Sequence, residues 1–152
     1  MSFCVLSFIF VRNFAAVIFA AAKFQINSGN MKFYNREKEL QSLKETREQA
    51  FRDHSQFTVM TGRRRIGKTS LILKACEDTP TVYLFVSRSN EAVLCNKFSK
   101  NINQALNVFV PDSIDSFADI FEMLMGFGRT MQFNLIIDEF QEFFYINPAV
   151  YS

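Results

Sequence analysis

The chain has 152 residues, 49% of them hydrophobic and 21% charged, with 19 Phe and no Trp. Such a composition supports one domain with a sizeable core and excludes wholesale disorder. A net charge of +2 is too small to argue for nucleic acid by itself, and three cysteines with a single His exclude a disulfide framework and a Cys/His zinc site. Cys4, Cys76 and Cys95 read as reduced, partly buried thiols of an intracellular protein.

Residues 3–22 are apolar except for Ser7, Arg12 and Asn13. At about 1.5 Å per residue, a helix over this run just reaches across a hydrocarbon core of about 30 Å. Arg12 would then lie near the middle, where a charge costs about 2.5–3.5 kcal/mol. Ala20, Ala21 and Ala22 are similar to a signal-peptidase site, but no basic segment precedes the apolar run. The favoured alternative starts the protein at Met31, with residues 1–30 as an extension upstream of a domain over 31–152. That reading implies a cytoplasmic protein; the membrane reading implies an anchor through residues 3–22 alone.

Asn35 is a candidate N-cap for a helix running to about Asp53, with Glu37 and Glu39 suited to its dipole. Leu40, Leu43, Arg47, Ala50 and Phe51 form its inward stripe, and the remaining charges make a solvated face. His54, just beyond, reads as a surface residue.

A β-rich run at residues 57–61 then enters Gly62-Arg63-Arg64-Arg65-Ile66-Gly67-Lys68-Thr69-Ser70, and an apolar helical run leaves it. This is the sequence form of a phosphate-binding loop. Gly62 and Gly67 let the loop curl so that its amides form an anion nest. The helix starting near Lys68 points its positive end at the same place. Lys68 is expected to reach the β- and γ-phosphates of a nucleotide, and the Thr69 hydroxyl to bind Mg²⁺. Two of the three arginines are expected to face solvent.

Residues 81–86 form a short continuous apolar run, the pattern of a buried parallel strand. A helix is expected over 91–106, capped by Ser89 or Asn90, with Val93, Leu94, Phe98, Ile102 and Ala105 inward. Ser116 and Asp119 have the spacing of a capping box for another helix, with Ile120, Phe121, Leu124 and Met125 inward and Gly126 and Gly128 at its end. Apolar residues 135–137 then run directly into Asp138 and Glu139, which places both acids at the C-terminal end of a buried strand, the edge where open parallel sheets bind ligands. After a phosphate loop, such an Asp holds Mg²⁺ and the adjacent Glu can act as general base on water. The guanine-reading Asn-Lys-x-Asp of small GTPases does not occur.

Phe33-x-x-Arg36-Glu37-x-Glu39-Leu40, the arginine-rich loop and Leu135-Ile136-Ile137-Asp138-Glu139-Phe140-Gln141 together resemble the archaeal-type AAA-like ATPase family, which borders the STAND signalling ATPases. The resemblance covers residues 31–144. It implies a three-layer α/β P-loop NTPase sheet of the additional-strand catalytic-glutamate type, incomplete at its C-terminus. It also implies ATP and Mg²⁺ as ligands, and a nucleotide pocket that includes Phe33, Tyr34, Asn35 and Arg36. An unknown protein or DNA partner, and a homo-oligomer of the full-length form, are the expected associations. Relatives continue past this point with a sensor strand inserted between the loop strand and the acidic strand, and with an arginine that senses the γ-phosphate. Lacking that strand, the two strands here are expected either to pair abnormally or to expose their edges. Two outcomes stay open: Mg-dependent ATP hydrolysis, or a nucleotide-binding switch or remnant without significant turnover.

Overall fold

In the computed structural model, which describes residues 7–11, 36–63 and 65–151, four strands form one sheet. They are β1 (Ser7–Val11), β2 (Gln56–Met60), β3 (Thr81–Phe85) and β4 (Asn134–Asp138), in spatial order β2-β1-β4-β3. β3 and β4 are parallel, with Tyr83 opposite Ile136 and Phe85 opposite Asp138. β1 is antiparallel to both of its neighbours, pairing Ile9 with Thr58 on one side and with Ile136 on the other. Hence β2 and β4 run in the same direction, separated by one reversed strand.

This arrangement corrects two expectations. β2 and β4 neither pair with each other nor leave the edges between them open, because β1 lies there. Ser7–Val11, inside the apolar run considered as a membrane helix, is a strand that belongs to the same sheet as residues 56–138. Five residues of the supposed extension are therefore part of the domain's sheet. Among the described residues no helix is long and apolar enough to cross a membrane. The other expectations for residues 1–35, including those for Met31, Cys4, Phe33, Tyr34 and Asn35, lie outside the described residues, as does Arg64.

Helices cover both faces. α1 (Glu37–Arg52) and α2 (Lys68–Ala75) pack on one, where Ala50, Met60, Leu71, Ile72 and Ala75 surround Ile136. α3 (Glu91–Leu106) and α4 (Phe117–Phe127) pack on the other, where Leu94, Phe98, Ile102, Ile120 and Leu124 meet Val82, Leu84, Leu135 and Ile137. Successive residues of β4 thus enter opposite cores, which is why all five of its residues are buried. Burial of both faces of β4 holds its acidic tip in a defined place.

Polar groups fix the helices to this frame. The guanidinium of Arg47, buried on the expected stripe of α1, donates to Ala75 O at 2.6 Å and forms an ion pair with Asp78, tying α1 to the end of α2. Asp78's carboxyl is held below its ordinary range chiefly by the hydrogen bond from Arg47. Asn134, buried at the start of β4, donates to Thr79 Oγ1 at 2.6 Å and Thr81 Oγ1 at 3.0 Å, aligning β3 beside it. Asn90 caps α3 as expected, its Oδ1 accepting from the amide of Ala92 at 2.9 Å. Val93 departs from the expected stripe and is half exposed, while Cys95 and Ser99 are buried. The capping box at Ser116 does not form. Instead the Phe117 amide donates to Glu91 Oε1 at 2.9 Å, so a side chain from α3 supplies the acceptor that opens α4.

Five phenylalanines gather behind the end of β4. Phe117 packs against Phe98, Phe121, Phe140 and Phe143, with ring centroids 4.5–6.4 Å apart. Phe140 opens the 3-10 turn Phe140–Glu142 and Phe143 opens the short helix α5 (Phe143–Ile146). These two rings anchor the chain immediately after Asp138 and Glu139 in the core.

Candidate functional site

The loop between β2 and α2 ends at Gly67, the N-cap of α2, with φ 78° and ψ 23°. A Cβ there would meet no neighbour within 4 Å, so the left-handed backbone rather than lack of space favours glycine. Arg65 is also left-handed, at φ 62°. Lys68, the first residue of α2, is buried, and its ammonium donates to Gly62 O at 3.0 Å and Arg63 O at 2.7 Å. The lysine therefore closes the loop on its own carbonyls. Arg63 and Arg65 are exposed, as expected of two of the three arginines.

One turn of α2 brings Thr69 to the tip of β4. Its Oγ1 donates to Asp138 Oδ2 at 2.7 Å, while Asp138 Oδ1 accepts from the Glu139 amide at 3.0 Å. Because the Thr69 hydroxyl gives its proton to Asp138, its lone pairs are left to face a cation. Tyr83 supplies a further bond: its phenol, at the level of Ile136 in the sheet, donates to Asp138 Oδ2 at 2.9 Å. Burial, and next the hydrogen bond to Asp138, push that phenol above its usual pKa. Glu139 adopts a left-handed backbone, φ 56°, and its carboxylate accepts from the Gln141 side chain. That backbone turns the chain sharply after β4, so that Glu142 returns over the site and pairs with Arg88.

Thr69, Asp138, Glu139, Arg88 and Glu142 line one cavity of about 780 Å³ between α2 and the C-terminal ends of β3 and β4. Arg65, Gly67, Lys68, Thr69, Ser70, Asp138 and Glu139 of the expected site all reach it. Gly62, Arg63 and Ile66 do not line it; Gly62 and Arg63 contribute the carbonyls that hold Lys68. Arg36, the one described member of the expected nucleotide-pocket group, also stands outside the lining, and its Nη1 is buried without a hydrogen-bond partner. Sequence reasoning missed Arg88 and Glu142 as lining residues, and Tyr83, which stands outside the lining but bonds Asp138. The signal for Tyr83 is a phenol within an otherwise apolar run from Val82 to Val86. Nothing local marks Arg88, whose place depends on β3 and β4 ending side by side.

No cluster of three or more Asp, Glu, His or Cys side chains suited to a metal occurs among the described residues. The hydroxyl–carboxylate pair of Thr69 and Asp138 nevertheless fits Mg²⁺, which takes one or two protein oxygens and completes its shell from phosphates and water. Compared with known proteins, the chain matches no family model, no curated protein and no solved structure.

Proposed function

We propose that this chain binds Mg-ATP at the cavity between α2 and the strand ends, as an AAA-like P-loop ATPase domain. The observation that supports it best is the 2.7 Å bond between Thr69 and Asp138, which joins the motif residues of two distant stretches at one cavity beside Lys68. A glycine-containing turn without a ligand would not require that convergence.

On this reading the Lys68 ammonium leaves Gly62 O and Arg63 O for the β- and γ-phosphates, exchanging neutral acceptors for charged ones. Thr69 and Asp138 would hold Mg²⁺, which when bound would offset phosphate charge. Glu139 accepts the proton of the attacking water. Tyr83 holds the Asp138 carboxylate in place from the strand side. The free, buried thiols Cys76 and Cys95 suit a cytoplasmic setting, in which such a domain would act on a protein or DNA partner.

A specific observation also supports the slower alternative, a nucleotide-dependent switch. The Gln141 amide holds the carboxylate of Glu139, so the base is engaged before any water arrives. The test compares the full chain with Lys68→Ala and Glu139→Gln, measuring the melting temperature with ATP and Mg²⁺ and phosphate release. Nucleotide-dependent stabilisation lost in Lys68→Ala supports the site. ATP trapped by Glu139→Gln but released as ADP by the wild type selects hydrolysis; identical behaviour of the two selects the switch. Wild-type protein unmoved by ATP would overturn both.

A further inference from the structure

We propose that Arg88 is the residue through which the site distinguishes a nucleoside triphosphate from a diphosphate, and that Glu142 holds it in reserve until the terminal phosphate arrives. This rests on the ATP-site reading above and deepens it.

The placement follows from the sheet. Phe85 stands opposite Asp138, and the Val86 amide continues the pairing to Asp138 O at 3.0 Å. The residues that follow β3 therefore lie alongside those that follow β4, and Arg88 lines the same cavity as Lys68 and Thr69 from the opposite wall. That wall carries the carboxylates of Asp138, Glu139 and Glu142 together with Arg88, while the other cations of the described lining, Arg65 and Lys68, come from the loop and helix opposite.

A terminal phosphoryl group extending from Lys68 towards these strand ends meets three negative charges. The cation that Thr69 and Asp138 would hold offsets the Asp138 charge. The phosphate charge nearest Glu142 still faces a carboxylate, and like charges brought together without a cation repel. Arg88 supplies that cation. Its Nε already donates to the Glu142 carboxylate, and its guanidinium lies 4.3 Å from the centroid of the Tyr145 ring. Stacking on Tyr145 limits the positions the guanidinium samples, and its planar fork can still present other N–H groups to a phosphate. Glu142 is nearly buried while the Arg88 side chain is 62% exposed, so the acid is the fixed partner and the arginine the movable one. A diphosphate, ending near Lys68, leaves Arg88 with Glu142 alone; a triphosphate takes up the guanidinium's remaining N–H groups.

The test measures ATP and ADP affinities with Mg²⁺ for the full-length wild type, Arg88→Ala, Arg88→Lys and Glu142→Gln. Arg88→Ala is expected to weaken ATP about tenfold and ADP less than about twofold, the loss of one charge-assisted contact. Arg88→Lys recovers part of the preference. Glu142→Gln, which keeps the side-chain shape but frees the cation, shifts the ATP/ADP ratio the opposite way, an effect that damage to the fold would not produce. Equal losses for both nucleotides in Arg88→Ala, or an unchanged ratio in Glu142→Gln, would overturn the assignment while leaving the ATP site intact. A wild type that binds neither nucleotide would overturn the site itself, and the assignment with it.

Discussion

Thr69 gives its hydroxyl proton to Asp138 across 2.7 Å, joining the first turn of α2 to the tip of β4. Neither residue has this neighbour in sequence; the contact exists because α2 packs over β4 through Leu71, Ile72 and Ile136. If the pair forms the Mg²⁺ site, Asp138→Asn should abolish the extra nucleotide-dependent stabilisation that Mg²⁺ gives over EDTA. Thr69→Ala should reduce it by a smaller amount, since the carboxylate remains. Differential scanning fluorimetry with ATP, with and without Mg²⁺, reads both effects. An unchanged Mg²⁺ increment in Asp138→Asn would exclude that carboxylate as the ligand.

The Tyr83 phenol bonds the same carboxylate oxygen at 2.9 Å. Tyr83→Phe keeps the ring on the α1/α2 side of the sheet and removes only the donor. A lost hydrogen bond to a charged group predicts a fall in unfolding free energy of about 1.5 kcal/mol. Urea denaturation measures it, with an unchanged slope expected because little surface changes. A variant as stable as the wild type would show that Thr69 and the Glu139 amide suffice for Asp138.

β1 carries the backbone pairing on both of its sides, so a proline within it removes a ladder donor and strains its neighbours. Ile9→Pro should expose edges of β2 and β4 and make the protein prone to association. The same exposure is expected of protein starting at Met31. Light scattering during thermal unfolding, together with loss of ATP-dependent stabilisation, would register the change. A monomeric Met31 form with intact nucleotide binding would show that the site does not need the strand.

Burial pushes the thiols of Cys76 and Cys95 up to about 11 from an ordinary value of 9.0. The unfolded chain loses these protons near pH 9, whereas the folded chain keeps them to about pH 11. Their contribution to stability is therefore complete below pH 9 and falls as the pH rises through this window. Urea midpoints between pH 8 and 11 should decline less steeply in a Cys76→Ala/Cys95→Ala variant than in the wild type. At pH 8 both thiols should resist alkylation until urea unfolds the protein, with peptide mapping separating them from Cys4.

Residues governed by local rules are legible in the amino-acid sequence. The helical stripe containing Arg47, the cap at Asn90 and the apolar approach to Asp138 all follow from spacing and burial within a few residues. The run at β3, by contrast, reads as fully buried but, at the sheet edge, buries Val82 and Leu84 and leaves Phe85 half exposed. Long-range partners do not follow from spacing. Glu91 replaces the expected capping box at Ser116 because α3 and α4 pack side by side, a relation that spacing within α4 does not contain. Arg88 reads as a loop residue because its meaning comes from the register of Phe85 with Asp138. Ser7–Val11 is hidden most completely. An apolar five-residue segment satisfies a sheet, a core helix and a bilayer alike, and only the open position between β2 and β4 distinguishes them.

That strand also affects the order in which the chain can assemble. β1 is synthesised first, yet it pairs along one side with β4, near the other end of the described chain. Pairings so distant in sequence slow folding, because the loop between them must be closed before the contacts form. Until residues 134–138 emerge from the ribosome, the apolar segment Ser7–Val11 has one of its two partners missing. The nascent chain would then hold an unfinished sheet through most of translation, making it a substrate for chaperones that shield exposed strand edges.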